Sequence, residues 1–117
     1  MKAASRIRAY INGVTAQTKL TVYRGEYSGN KGGNFWTEDR EFARNFTQSG
    51  QDKEILTRYL NASDVHDAAE TYAGNEAGVD KAIAAAKAKG CKAVILNEGA
   101  GEPNSIFVFD RTALLRR

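Results

Sequence analysis

Apolar and polar side chains alternate most clearly over residues 18–24. Leu20 and Val22 lie on one side there, between the β-favouring Thr21 and Tyr23, a period of two that predicts a strand. Lys53 to Leu60 predicts a second strand, followed by a polar segment starting at Asn61. Over Val79 to Lys89 the period becomes helical, with Val79, Ile83 and Ala86 inward, lysines late and Gly90 as the stop. Cys91 to Leu96 is apolar enough for a buried strand, and a glycine-rich loop, Gly99 to Asn104, leads into a strand at Ile106 to Phe109. A short C-terminal turn or helix carries Leu114 and Leu115. Residues 5–16 read two ways. Ile7, Ala9 and Ile11 alternate before a hairpin signal at Asn12-Gly13, while Ala4, Ile7, Ile11 and Val14 also fit one helical face.

The stretch from Val22 to Phe46 is the most informative. Ser28 to Asn34 holds three glycines and predicts a loop. Thr37 then reads as the N-cap of a helix with Glu38 and Asp39 in its first turn, Phe42 and Phe46 on one face, and Gly50 as its end. Strands stand on both sides of helices, with adjacent strands paired through loops, which is an α+β order more than a doubly wound one.

The remaining totals exclude more than they assign. At 117 residues, 42% hydrophobic and 26% charged, the chain predicts one compact domain. No apolar run has the length of a membrane span. Met1 to Arg8 is charged with no apolar core behind it, so no secretory signal is expected. Cys91 is the single cysteine and His66 the single histidine, which excludes an internal disulfide, a cysteine-based zinc site and a paired-histidine metal centre. A reducing, cytoplasmic setting is the expectation. The net charge of +3 is concentrated at the ends: five basic residues precede the first acidic one, Glu26, and Arg111, Arg116 and Arg117 close the chain. Such ends suit an acidic partner or a solvated face. No phosphate-binding Gly-x-x-x-x-Gly-Lys loop and no Gly-x-Gly-x-x-Gly fingerprint occurs.

Three places can carry chemistry. Arg24 ends a half-buried strand, where its guanidinium can fork onto a phosphate or form a structural ion pair. Thr37 with Trp36 at its side offers a hydroxyl and an aromatic wall, or simply a helix cap and core. Tyr23 and Phe42 share the second pair of readings. The loop Asn97 to Asn104 brings Glu98 and Glu102 between two apolar strands. A carboxylate there can stabilise positive charge at an anomeric carbon, or be part of a solvated turn.

In chain order these segments resemble ADP-ribosyltransferase-like domains, especially the small ones of phage-borne and other mobile bacterial proteins. Val22-Tyr23-Arg24-Gly25 looks like the first strand, whose arginine or histidine helps to hold NAD. Phe35 to Phe46 looks like the second motif, a strand ending in Ser or Thr before a helix with an alanine and aromatics. Ile55 to Asn61 is similar to the middle strand. Gly90 to Asn97 and Ile106 to Asp110 look like the closing pair. The likeness covers about residues 20–112, with short motifs whose order is more specific than any one of them.

The resemblance implies a split, mixed β core with flanking helices and a cleft for NAD as substrate. Tyr23, Arg24, Gly25, Trp36, Thr37 and Phe42 would bind it, with Arg24, Thr37 and Glu102 as the catalytic set and no metal. In such families a glutamate usually sits just before the last strand, where this chain has Asn104-Ser105. Glu102 is the nearest carboxylate, with Glu98 further back. The implied activity is mono-ADP-ribosyl transfer from NAD to a macromolecular target, a protein first and nucleic acid second, in the cytoplasm of a cell or of a phage host. Two alternatives stand beside it. One is a degenerate transferase that only binds and inhibits a partner, as in phage counter-defence. The other is nucleic-acid binding through the arginine-rich termini, with Tyr27 and Trp36 for stacking.

Overall fold

The structure, a computed structural model, describes residues 18–47 and 53–117. The two readings of residues 5–16 and the helix stop at Gly50 lie outside the described residues. In chain order come β1 (Lys19–Glu26), β2 (Phe35–Trp36), α1 (Arg40–Arg44), β3 (Glu54–Asn61), β4 (Val65–Tyr72), α2 (Glu76–Ala88), β5 (Ala93–Asn97) and β6 (Ser105–Val108). Single 3-10 turns stand at Asn45–Thr47, Ala62–Asp64 and Arg111–Ala113. The fold is α+β, as the element order predicts.

The strands form two sheets. β1 and β3 pair antiparallel along their whole length, from Lys19 opposite Asn61 to Glu26 opposite Glu54. The other four run in the order β2-β6-β5-β4, with β4 parallel to β5 and the remaining pairs antiparallel. A bridge between Tyr23 and Thr37 joins the sheets, each backbone N–H donating to the other's carbonyl at 2.7 and 3.0 Å. The chain therefore has a seam beside Arg24.

Packing follows the strand alternation. Leu20, Val22, Leu60, Ile95, Ile106 and Trp36 share one buried cluster. Val94 and Leu96 on the opposite face of β5 pack with Ala68, Ala82 and Ala86 beneath α2. Burial on both faces explains why β5 reads as an unbroken apolar run. Helix α2 starts where Asn75 caps it, accepting from the Gly78 N–H, three residues earlier than the hydrophobic pattern begins. It ends at Gly90, whose φ of 76° only glycine adopts freely. Val79 and Ile83 pack against the second cluster as predicted.

Two elements differ from expectation. The polar segment after Asn61 contains β4, an edge strand paired only with β5, whose outer positions are half-exposed or exposed. An edge strand tolerates His66, Asp67 and Glu70, so it shows little apolar alternation. The cap of α1 is Asp39, whose carboxylate accepts the Phe42 N–H at 3.0 Å. Thr37 instead accepts the Asp39 N–H on its hydroxyl at 3.0 Å, a tight turn that precedes the helix. Residues Phe35–Trp36 form a short strand after the loop and ahead of the helix, in the order the second motif implies.

No described helix is long and apolar enough to cross a membrane. Cys91 is half-buried, with its thiol 3.8 Å from the Ser63 carbonyl. Burial, then the nearby Asp64 carboxylate, pushes the thiol's pKa up. We expect iodoacetamide to alkylate it more slowly at neutral pH than it alkylates a free cysteine, because less thiolate is present. A rate equal to that of the free thiol would contradict this.

Candidate functional site

A cleft of about 460 Å³ opens at the seam between the two sheets, within the range of small-ligand pockets. Five elements build it. β1 contributes Tyr23, Arg24 and Gly25, β2 and α1 with the residue after β2 contribute Phe35, Trp36, Thr37 and Phe42, the end of β4 contributes Tyr72, and Glu98 follows the end of β5. Ser105, the first residue of β6, also lines it. All six binding residues expected from sequence, namely Tyr23, Arg24, Gly25, Trp36, Thr37 and Phe42, border this one cleft.

Their roles differ from one another. Arg24 is held by its own protein: Nε donates to Glu26 Oε2 at 2.8 Å, Nη1 to the Phe35 carbonyl at 3.0 Å, and Nη2 to the Asn30 carbonyl. Its ion pair with Glu26 is largely out of water, the two side chains being 11% and 6% exposed. Glu26 also accepts the Gly32 N–H, and Arg111 reaches the Gly32 and Gly33 carbonyls from the other side. These bonds fix the glycine-rich loop against the cleft. Arg24 thus braces the wall, and its charge is balanced within it.

The pair makes a testable demand on stability. Arg24→Met leaves the Glu26 carboxylate buried with the Gly32 N–H as its one remaining donor among the described residues, which should cost about 3–5 kcal/mol in urea unfolding. The double variant Arg24→Met/Glu26→Gln should recover part of that loss. Equal destabilisation of single and double variants would show that the uncompensated charge is not the cause.

Thr37 is buried at the sheet-joining bridge. Trp36 is also buried, and its indole packs among the core residues of the first cluster, with Nε1 making no hydrogen bond to a described residue. It is unavailable for stacking on a base. Phe42 packs edge-on against Phe46 with ring centres 5.4 Å apart. Gly25 lies so close to α1 that a Cβ there would overlap the Ala43 carbonyl.

Glu102 does not reach the cleft. Gly99, Ala100 and Gly101 all have positive φ, and the Glu102 N–H closes their turn onto the Gly99 carbonyl at 2.9 Å. That tight turn leaves Glu102 exposed and outside the cleft lining. Glu98, at the other end of the same loop, is half-buried and lines the cleft. Among the described residues it is the one carboxylate that lines this cleft.

Two further features shape the cleft. Ser105 is 4% exposed, and its hydroxyl makes no hydrogen bond to a described residue. A buried hydroxyl without a partner costs stability unless something in the cleft meets it. The sequence marks it only through Asn104-Ser105 standing where the resemblance expects a glutamate, not as a cleft hydroxyl. The second is the rim: Phe35, Phe46 and Tyr72 are the large hydrophobic side chains exposed among the described residues, and all three line this cleft. Exposed aromatic rings gathered at one opening mark a binding surface.

In comparison with known proteins, no family model, no curated protein and no solved structure matches the chain. The site is therefore read from its own geometry. His66 and Cys91 lie toward the N-terminal ends of the parallel strands β4 and β5, away from Tyr72 and Glu98. Burial, then the neighbouring Lys89 ammonium, lowers the His66 pKa. No metal-binding cluster of His, Cys, Asp and Glu occurs among the described residues.

Proposed function

We propose that the cleft binds NAD and transfers its ADP-ribose to a nucleophile on a protein target, with Glu98 as the carboxylate. The observation that carries this is convergence: Arg24, Thr37 and one carboxylate line a single cleft at the seam of two sheets. The aromatic rim suits the flat rings of a dinucleotide, and the Ser105 hydroxyl suits a ribose hydroxyl. In the reaction the bond from ribose C1′ to nicotinamide breaks with its electron pair leaving on nicotinamide. The acceptor forms the new bond at C1′ and gives up a proton. A carboxylate beside C1′ stabilises the positive charge that develops there. Incubation with NAD labelled on the adenosine side should mark the protein itself or a protein component of a cell lysate. Absence of protein-bound label, with NAD left intact, would remove the transferase reading.

A second reading is favoured by Ser105, which lines the cleft near the position where the resemblance expects a glutamate. In that reading the domain binds the dinucleotide or a partner without turnover, as a degenerate transferase would. Binding measured by calorimetry without nicotinamide release selects it.

A further inference from the structure

Three phenylalanines stand on one face of the larger sheet. Phe35 is opposite Phe107 in the β2–β6 register, and Phe107 is opposite Val94 in the β6–β5 register, so their side chains share a face. Phe109, two residues beyond Phe107, packs on the same cluster. Helix α2 covers this face over β4 and β5, where Ala82 and Ala86 meet Ala68, Val94 and Leu96. The β6 and β2 side keeps its rings accessible. Phe107 and Phe109 are half-buried, and Phe35 is 43% exposed with its ring edge-on to Phe107 at 4.9 Å between centres.

Cations border these rings. The exposed Lys87 ammonium is 5.5 Å from the centre of the Phe109 ring. The Lys92 carbonyl accepts the N–H groups of Phe109 and Asp110, which sets Lys92 beside them at the head of β5. Arg111 is exposed two residues on from Phe109 and reaches the Gly32 and Gly33 carbonyls ahead of β2. Asp110 is the carboxylate among them, and it already accepts the Thr112 N–H and hydroxyl. Asp80, seven residues before Lys87 on the same side of α2, marks where the basic stretch ends.

We propose that this face, outside the seam cleft, binds single-stranded nucleic acid, with bases stacked on Phe107 and Phe109 and phosphates on Lys87, Lys92 and Arg111. Rings two strand residues apart with cations along their edge match such a strand, whose bases stack while its backbone pairs with the cations. Lys87 has a flexible stem and moves from the ring to a phosphate as a base takes its place. An acidic peptide would match the cations and leave the rings without flat partners. Of these residues Phe35 alone also lines the cleft, and the proposal does not depend on the transferase reading.

The test is fluorescence anisotropy of the full chain with labelled ten-nucleotide oligouridylate and oligothymidylate. A duplex of equal length and a poly-glutamate competitor of matched charge are the controls. A single strand should bind saturably and more tightly than the duplex, with log affinity falling against log salt at a slope of roughly −2, about −0.7 for each of three phosphate contacts. Lys87→Ala, an exposed change, should make that slope shallower by about 0.7. Phe109→Leu should weaken binding about tenfold, with circular dichroism reporting whether it is folded; if it is not, Lys87→Ala carries the test. No saturable binding to either strand, equal binding of the duplex, or displacement by poly-glutamate at equal charge would overturn the proposal. Unchanged affinity in Lys87→Ala would overturn it too, and would place the binding on the arginine-rich termini instead.

Discussion

Gly25→Ala will destabilise the protein by about 3 kcal/mol or more, at or above the upper end of ordinary overpacking. The reason is space. Gly25 is a strand residue without positive φ, yet a Cβ there would overlap the Ala43 carbonyl and approach Thr47 Cγ2 to 3.1 Å. The obstructing atoms belong mainly to backbone, so α1 must move off β1. Phe42 and Phe46 would move with it, and the cleft would lose one wall. The comparison is Gly32→Ala. Gly32 has a φ of 80° with nothing within 4 Å of its would-be Cβ, so that change should cost only the left-handed strain, roughly 1–2 kcal/mol. Chemical denaturation of both variants measures the difference. Equal losses would mean that close approach to α1 is not what fixes Gly25.

Under the proposed function, Glu98→Gln will lower ADP-ribosyl transfer by about 10²–10³-fold, the scale of removing one preorganised electrostatic stabiliser, while Glu102→Gln will leave it near wild type. Glutamine keeps the shape and loses the charge that the developing oxocarbenium needs. Glu102 is exposed on the far side of a three-residue left-handed turn and lies outside the cleft lining. Single-turnover transfer from labelled NAD separates the two. If Glu102→Gln abolishes transfer and Glu98→Gln does not, the loop must rearrange on binding and the assignment reverses.

The features most legible in the sequence were those set by local patterning. The strand through Leu20 and Val22 (which runs two residues past Arg24, to Glu26), the buried run of β5, the inward face of α2 and the stop at Gly90 follow from period and backbone freedom. The six expected binding residues also meet in one cleft. Features fixed by pairing were hidden. β4 lies on an edge and is polar, so its alternation is weak. Two-residue β2 is too short for a periodic signal and exists through its bonds to β6. Tyr72 and Ser105 enter the cleft through register with β5, which no local pattern encodes. The exchange of Glu102 for Glu98 depends on the direction of one glycine turn. Arg24 followed the ion-pair alternative in its structure, because Glu26 two residues on lies on the same strand face and meets its guanidinium.

The proposed function makes the seam cleft an NAD site. A calorimetric titration of the purified chain with NAD, with free nicotinamide assayed in the same samples, checks this. Saturable binding at one site per chain is expected, with slow nicotinamide release that Glu98→Gln suppresses without removing the binding. No detectable heat and no nicotinamide at NAD concentrations well above cellular levels would contradict it.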